Sequence, residues 1–235
     1  MVNSKNAFWQ ALIITVFVFI AGLVLGFYVE LANVNKSDLL IRSAEIDLMD
    51  QQIKISGLNN NLNFNCDIAK KNLFSFADEI YLDVAQFEEE GGRSKFTFNQ
   101  RKTLHKRYDL LRVNLWMESL EVKEKCNESF HTVIYLFDYD SQDIDVKSQQ
   151  RVFSLVLMDL KYAHPEEILL LPIASNLELG SIEMIKENYN ISKSPSIIID
   201  QSTVITSLVS LEELEKSVFD SKKKSNTQKV IVLNS

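Results

Sequence analysis

Two cysteines, Cys66 and Cys126, are the residues of this 235-residue chain with the most specific chemistry. A pair of thiols can form a structural disulfide or exchange electrons with the disulfide of a substrate. Dithiol enzymes usually carry the two thiols in a Cys-x-x-Cys motif, whereas these two stand 60 residues apart. The spacing favours a structural disulfide, and a disulfide oxidoreductase that works through these two cysteines is the alternative.

Four aspartates, Asp138, Asp140, Asp143 and Asp145, form an acidic cluster that could hold calcium. The cluster lacks the central glycine and the closing glutamate of an EF-hand loop. Carboxylates in front of a helix also cap its first turn and interact favourably with the helix dipole, so we predict no metal site. The three histidines lack the spacing of a zinc site or a catalytic triad, and we predict no catalytic residue and no cofactor.

The chain near its N-terminus is strongly apolar, since no charged residue lies between Lys5 and Glu30. About 20 apolar residues are needed to cross the ~30 Å hydrocarbon core of a bilayer. A cleaved signal peptide has a shorter apolar region that ends at small residues, which this segment lacks. We therefore predict a signal anchor over residues 1–29, a single-pass protein of the cell membrane, and a large C-terminal part on the exported side.

The amino-acid composition limits the class of protein to which the rest of the chain can belong. The formal net charge is −7, with 46% hydrophobic and 24% charged residues, as in an ordinary acidic globular protein. Nucleic acid is therefore not expected as a partner, and the basic run at residues 222–224 is read as part of a solvated tail over residues 221–235. The 6 glycines and 3 prolines are too few for a turn-rich all-β sandwich.

Residues 30–62 are predicted to form a helical stalk. Apolar residues there recur at alternating three- and four-residue steps, as in the heptads of a coiled coil. Gly22 and Gly26 supply a small-xxx-small pair in the apolar segment, a pattern typical of helices that associate in membranes. A parallel homodimer is one hypothesis. In the alternative, the apolar stripe packs on later helices of the same chain.

Residues 63–128 are predicted to form an antiparallel helical hairpin. Two helical apolar repeats, one from Ala69 to Phe87 and one from Leu104 to Leu115, flank a turn at Gly91 and Gly92. Facing residues in an antiparallel hairpin have a constant sum of positions, and the midpoint of the two cysteines is residue 96, inside the turn region. The thiols should therefore meet at the open base. A disulfide closing a ~60-residue loop is worth about 4 kcal/mol and indicates an oxidising compartment.

Residues 130–220 show a different pattern, in which short apolar runs alternate with helical segments. Strands are predicted at residues 132–137, 168–173, 196–200 and 204–206. Helices are predicted at residues 144–162, 180–189 and 211–218. The order strand, helix, strand, helix, strand, strand, helix is that of an α/β domain.

This part of the chain resembles the thioredoxin-like superfamily in its element order and in the segment Lys193-Ser194-Pro195-Ser196-Ile197-Ile198-Ile199. That segment looks like the turn that carries the family's cis-proline before its third core strand. The resemblance implies a thioredoxin-like fold and a cis peptide bond between Ser194 and Pro195.

Where the family carries Cys-x-x-Cys, this chain has Ser141-Gln142-Asp143-Ile144. A serine hydroxyl cannot replace the stabilised thiolate, so we do not expect the oxidoreductase activity of the family in this chain. Redox-inactive members of the superfamily look like modules that bind extended polypeptides beside the proline turn. The resemblance therefore implies a protein-binding or chaperone-like module whose binding residues are Tyr139, Ser141, Ser194 and Pro195.

A third possibility for the function is a structural coiled-coil tether of an envelope complex, in which the C-terminal domain only caps the stalk. The three hypotheses differ in what the domain over residues 130–220 should do. A binding module holds a polypeptide client, an oxidoreductase turns over thiols, and a tether does neither.

Overall fold

The structure, a computed structural model, describes residues 8–29, 65–91, 98–126 and 130–220. Helix α1, Phe8–Val29, is 22 residues long, or about 33 Å at 1.5 Å per residue. By length and composition it is able to span a membrane, as the sequence predicts. The predicted stalk at residues 30–62, most of the hairpin turn and the tail at residues 221–235 lie outside the described residues.

Two long helices come next, and strands alternate with shorter helices after them. The elements are α2 (Cys66–Gly91), α3 (Phe98–Cys126), β1 (His131–Phe137), α4 (Ile144–Ala163), β2 (Ile168–Ala174), α5 (Gly180–Asn188), β3 (Ser196–Ile199), β4 (Thr203–Ile205) and α6 (residues 211–220). The predicted α/β class is confirmed.

The four strands form one mixed sheet in the order β2-β1-β3-β4. Strand β1 runs parallel to β2 and antiparallel to β3, and β4 runs antiparallel to β3. A parallel pair needs a long crossover, which α4 provides. Asp200 and Gln201, both at positive φ, make the turn between β3 and β4. The Ser194–Pro195 peptide bond is cis, as the resemblance implies.

Helices cover both faces of the sheet, because successive side chains of a strand point to opposite faces. Ile134 and Leu136 of β1 face one hydrophobic cluster, which also contains residues of α2, α3 and α5. Val133 and Tyr135 face a second cluster, formed with α4 and α6. The hairpin therefore shares the sheet core instead of standing apart from it.

The predicted disulfide is present and joins the two ends of the hairpin. Cys66 is the first residue of α2 and Cys126 is the last residue of α3, and their Cα atoms are 5.6 Å apart. The two helices therefore run antiparallel. The disulfide holds their base together.

A partly buried polar cluster connects the same base of the hairpin to the sheet. The Asp200 carboxylate accepts hydrogen bonds from Lys123 Nζ at 2.6 Å and from the Thr132 N–H at 2.9 Å, and it also pairs with His131 Nδ1. Burial alone would raise the pKa of Asp200, but the His131 hydrogen bond and the Lys123 charge outweigh it and hold that pKa well below its usual value. The cluster fixes α3 against β1 and β3.

Candidate functional site

A cavity of about 970 Å³ lies between α2 and α4, beside the edge strand β2. We name it the α2–α4 groove. Its apolar walls comprise Ala77, Tyr81, Leu82 and Val84 of α2, Leu157, Met158 and Tyr162 of α4, and Tyr135, Phe137, Leu170 and Pro172 of the sheet. Leu82 is 65% exposed and Tyr81 is 47% exposed, so apolar surface on α2 is available to a ligand.

The edge of β2 that faces away from β1 can be identified from two hydrogen bonds. The His131 N–H donates to Glu167 O, and the Ser175 N–H donates to Phe137 O, both at 2.6 Å. Strand residues in a parallel ladder alternate between bonding to a neighbour and pointing away from it. The residues of β2 whose backbone groups point away from β1 are Ile168, Leu170, Pro172 and Ala174.

Both ends of this outer edge are occupied. Lys161 Nζ of α4 donates to the carbonyl of Ile168 at 3.1 Å. At the other end, the backbone N–H of Ala174 interacts with the carboxylate of Asp109 and lowers its pKa. These contacts leave only the centre of the edge to an incoming chain.

The centre of the edge is short and lies in the wall of the groove. Pro172 has no N–H, so its carbonyl is the one backbone group that it can offer. Leu170 offers both its N–H and its carbonyl, and neither has a hydrogen-bond partner beyond β2 among the residues that the structure describes. An extended segment of about four residues would match this open stretch.

One end of the groove is polar and rests on a buried ion pair of α3. Arg112 Nη1 lies 3.1 Å from Asp109 Oδ1, and both residues are buried. Burial raises the pKa of Asp109 to about 6, although the nearby Arg112 charge opposes the rise. Arg112 also lines the groove, so its guanidinium serves both the ion pair and the groove wall.

His105 of α3 lies at the same end. Its ring centroid is 4.1 Å from that of Tyr139, and its Nε2 is 3.5 Å from Glu88 Oε1 of α2. Burial, together with the charges of Arg112 and Arg101, lowers the pKa of His105 to about 4. His105 is therefore uncharged near pH 7, and it contributes an aromatic surface and a neutral polar atom.

Of the four predicted binding residues, Tyr139 alone lines the groove. Tyr139 borders the groove, and its backbone pairs with the Asn176 amide at 2.7 and 2.9 Å. Ser141 lies in the loop before α4, where its Oγ accepts a hydrogen bond from the Asp143 N–H. Ser194 and Pro195 stand just before β3 and do not line the groove; Pro195 is buried.

The acidic cluster has structural partners. Asp143 caps α4 by accepting hydrogen bonds from the N–H groups of Asp145 and Val146. Asp138 accepts a hydrogen bond from Ser175 Oγ at 2.9 Å. Across the described ranges, no group of three or more His, Cys, Asp or Glu side chains is arranged to hold a metal ion.

Sequence reasoning missed the groove and its ion pair. The sequence does contain a signal for the pair. His105, Asp109 and Arg112 recur at helical spacing beside the apolar repeat of α3, so they lie next to the face that the helix buries. The groove itself has no such signal. It depends on how α2 and α4 lie across the edge of β2.

No protein-family model, no curated protein and no solved structure matches this chain.

Proposed function

We propose that this chain is a membrane-anchored protein that binds an extended segment of another polypeptide in the α2–α4 groove, without thiol chemistry. The observation that carries the proposal is the open centre of the β2 edge at Leu170 and Pro172, set into an apolar groove. A peptide that adds a strand to a sheet edge gains affinity from backbone hydrogen bonds and selectivity from pockets for its alternate side chains.

We further propose a thioredoxin-like fold for residues 130–220. The sheet order β2-β1-β3-β4 supports it, as does the placement of α4 and α6 on one face and α5 on the other. The loop before α4 carries no cysteine, and both cysteines of the chain are used in the hairpin disulfide. This pattern supports a role as a binding scaffold rather than a dithiol enzyme.

The proposed location is the exported side of a membrane, with α1 as the anchor. The disulfide between Cys66 and Cys126 supports an oxidising compartment for the part of the chain that follows α1. The anchor would keep the groove tethered to the membrane.

The expected affinity is modest. Two or three backbone hydrogen bonds are worth about 0.5–1.5 kcal/mol each, and two buried apolar side chains add about 1.5–3 kcal/mol each. Ordering the peptide and losing its free motion cost several kcal/mol. With a cost of about 4 kcal/mol, the most favourable sum leaves about 6 kcal/mol, so a single segment should bind with a dissociation constant of tens of micromolar at best and more weakly otherwise.

The decisive experiment removes one backbone donor of the edge. The Leu170 N–H points away from β1, so Leu170→Pro deletes it without breaking the ladder. Leu170→Ala is the matched control, because it shortens the side chain and keeps the N–H. Binding of a panel of synthetic peptides with alternating apolar residues is measured on the full chain in detergent by fluorescence anisotropy.

We expect Leu170→Pro to weaken binding at least fivefold beyond the effect of Leu170→Ala. Leu82→Asp, in the groove wall, should also weaken binding, whereas Met184→Asp should not, because Met184 is 59% exposed on α5 and outside the groove. Absence of binding by every peptide, or an equal loss in Met184→Asp, would reject the proposed site.

The redox alternative gives a different result in the same protein. A reduction assay with insulin should stay at background for the full chain. Turnover of thiols that disappears when Cys66 or Cys126 is replaced by serine would instead support the oxidoreductase hypothesis.

A further inference from the structure

The groove has a candidate ligand within the same chain. We infer that residues 229–233, Lys-Val-Ile-Val-Leu, bind in the α2–α4 groove beside Leu170 and compete there with the polypeptide client. The inference rests on the proposed function for the identity of the site. It adds a regulatory occupant that lies C-terminal to α6.

The end of α6, after which this segment follows in the sequence, lies near the groove. The last turn of α6 packs beside the end of α4, since the Phe219 ring centroid lies 4.8 Å from that of His164. The next residue after His164, Pro165, lines the groove, as does Lys161. The chain therefore leaves α6 at the Lys161 end of the groove.

The intervening chain is long enough. The groove follows α2 from Ala77 to Glu88, a rise of eleven helical steps or about 17 Å. Residues 221–228 can extend over about 26 Å at ~3.3 Å per residue, and residues 229–233 cover about 17 Å more. The tail can therefore enter at the Lys161 end and reach Leu170 and Pro172 without moving any helix.

Charge favours the same placement. Residues 65–220 contain 27 Asp and Glu and 17 Lys and Arg, a net charge of −10, whereas residues 221–235 contain four Lys and no acidic residue. Glu166 and Glu167, at the end of the groove where the tail leaves α6, are exposed. Their charges attract residues 222–224, which steers the apolar segment toward the groove.

The apolar segment also suits the open edge. Val230, Ile231 and Val232 are β-branched residues that favour strands, and with Leu233 they form an apolar segment long enough to cover the open edge at Leu170 and Pro172. In a strand, alternate side chains would point into the groove and away from it. The tail thus provides both the backbone and the side chains that the groove requires.

A tethered ligand does not need high affinity. A flexible linker of this length gives an effective concentration of about 1 mM. If the free segment binds with a dissociation constant near 0.1 mM, the tethered segment fills the groove about 90% of the time, and an external peptide binds about tenfold more weakly.

The test compares the full chain with a chain that ends at residue 220, both in detergent. The probe is a labelled synthetic peptide of residues 225–235. We expect it to bind the shortened chain about tenfold more tightly than the full chain, and to lose binding in the shortened chain that carries Leu170→Pro. A peptide with Ile231→Ser and Leu233→Ser keeps the charge and should not bind.

A second readout places the tail directly. A photo-crosslinking residue substituted for Tyr81 in the full chain should react with residues 229–233 of the same chain, while the same residue substituted for Met184 should not. Crosslinks only between chains, or a tail peptide that binds anionic vesicles but not the shortened chain, would overturn the inference.

The inference and the proposed function fail differently. If foreign peptides bind the full and shortened chains equally, the tail does not occupy the groove and the inference is rejected, while the binding function stands. If the tail peptide binds and no foreign peptide does, the inference stands, and the groove serves the chain's own tail instead of a client.

Discussion

Arg112 and Asp109 of α3 form an ion pair, with Arg112 Nη1 3.1 Å from Asp109 Oδ1, beneath the polar end of the α2–α4 groove. Both side chains are almost fully removed from water. A buried ion pair is a weak source of stability compared with apolar residues of the same size, but breaking one partner is costly. The pair therefore makes the groove wall sensitive to single substitutions.

We predict that Arg112→Leu lowers the free energy of unfolding by about 3–5 kcal/mol, because it leaves the Asp109 carboxylate buried without its counter-charge. The double substitution Asp109→Leu with Arg112→Leu should recover most of that loss. Chemical denaturation of the full chain in detergent measures both.

The exposed pair of Glu183 and Lys186 on α5, at 3.0 Å, is the control. Lys186→Ala should change stability by no more than about 0.5 kcal/mol. If the variant with both Asp109→Leu and Arg112→Leu is as unstable as Arg112→Leu alone, the two side chains are needed for packing as well as for neutralising each other's charge.

A second prediction concerns acid stability and Asp200. Its pKa in the folded protein is below the unfolded value, so the unfolded chain binds more protons as pH falls through about 4. The stabilisation is therefore present above pH ~4 and lost at lower pH. Asp200→Asn should reduce stability at pH 7 and flatten the decline between pH 5 and 3.

Denaturation midpoints across this range test the prediction. Asp159→Asn is the control, because Asp159 is exposed on α4. An unchanged acid decline in Asp200→Asn would mean that the cluster of His131, Lys123 and Asp200 does not control acid unfolding.

His105 gives a prediction in a different pH window. Its pKa falls from 6.5 to about 4 on folding, so the unfolded chain gains a proton first as pH drops. Its contribution to stability is complete above pH 6.5 and is lost as pH falls toward 4. Relative to wild type, His105→Gln should lose less stability between pH 6.5 and 4.

Asp109 and Glu118 act in the opposite direction, because burial raises their pKa values to about 6 and about 7. Protonation of these two groups favours the folded state as pH falls. The free energy of unfolding of the wild-type protein should therefore change little with pH in this range. The difference between His105→Gln and wild type isolates the histidine. If the two curves are parallel, His105 is not buried in its neutral form.

The disulfide supplies a fourth prediction. Replacing Cys66 and Cys126 together by alanine should lower the free energy of unfolding by about 2–4 kcal/mol, because the closed loop restricts the unfolded chain. Peptide mapping of unreduced protein should recover the two cysteines in one linked pair. Free thiols at both positions in quenched material would contradict the structure at the base of the hairpin.

Much of the fold was accessible from local sequence. Short apolar runs and helical apolar repeats predict the strands and helices of residues 130–220, and the constant-sum argument across the hairpin turn predicts the pairing of Cys66 and Cys126. The strands and helices depend on residues that are close in sequence, and the disulfide depends on the position of a single turn between two helices.

The groove was not accessible in that way. Its walls come from α2, α4 and β2, which are far apart in sequence, and its open edge depends on which backbone groups of β2 point away from β1. Tyr139 was predicted as a site residue from the resemblance, but Leu170 and Leu82 look like ordinary apolar residues of a strand and a helix. Tertiary placement alone gives them a role.

The last prediction concerns association in the membrane through α1. Gly22 and Gly26 lie one turn apart on the same face of α1, and a Cβ added at either would meet no atom within 4 Å. The space beside both glycines is therefore open to a second chain or to lipid. Under the hypothesis of a parallel dimer, Gly22→Ile with Gly26→Ile should weaken the association.

Cysteines introduced at Ile41 and Leu48, in a chain without Cys66 and Cys126, measure that dimer by crosslinking in membranes. Crosslinking should be strong with the native glycines and fall severalfold with the two isoleucines. Cysteines at Asp47 and Asp50 are the control, because these positions lie off the apolar seam. Equal crosslinking at all four positions, insensitive to the glycines, would indicate crowding in the membrane and reject a specific parallel dimer.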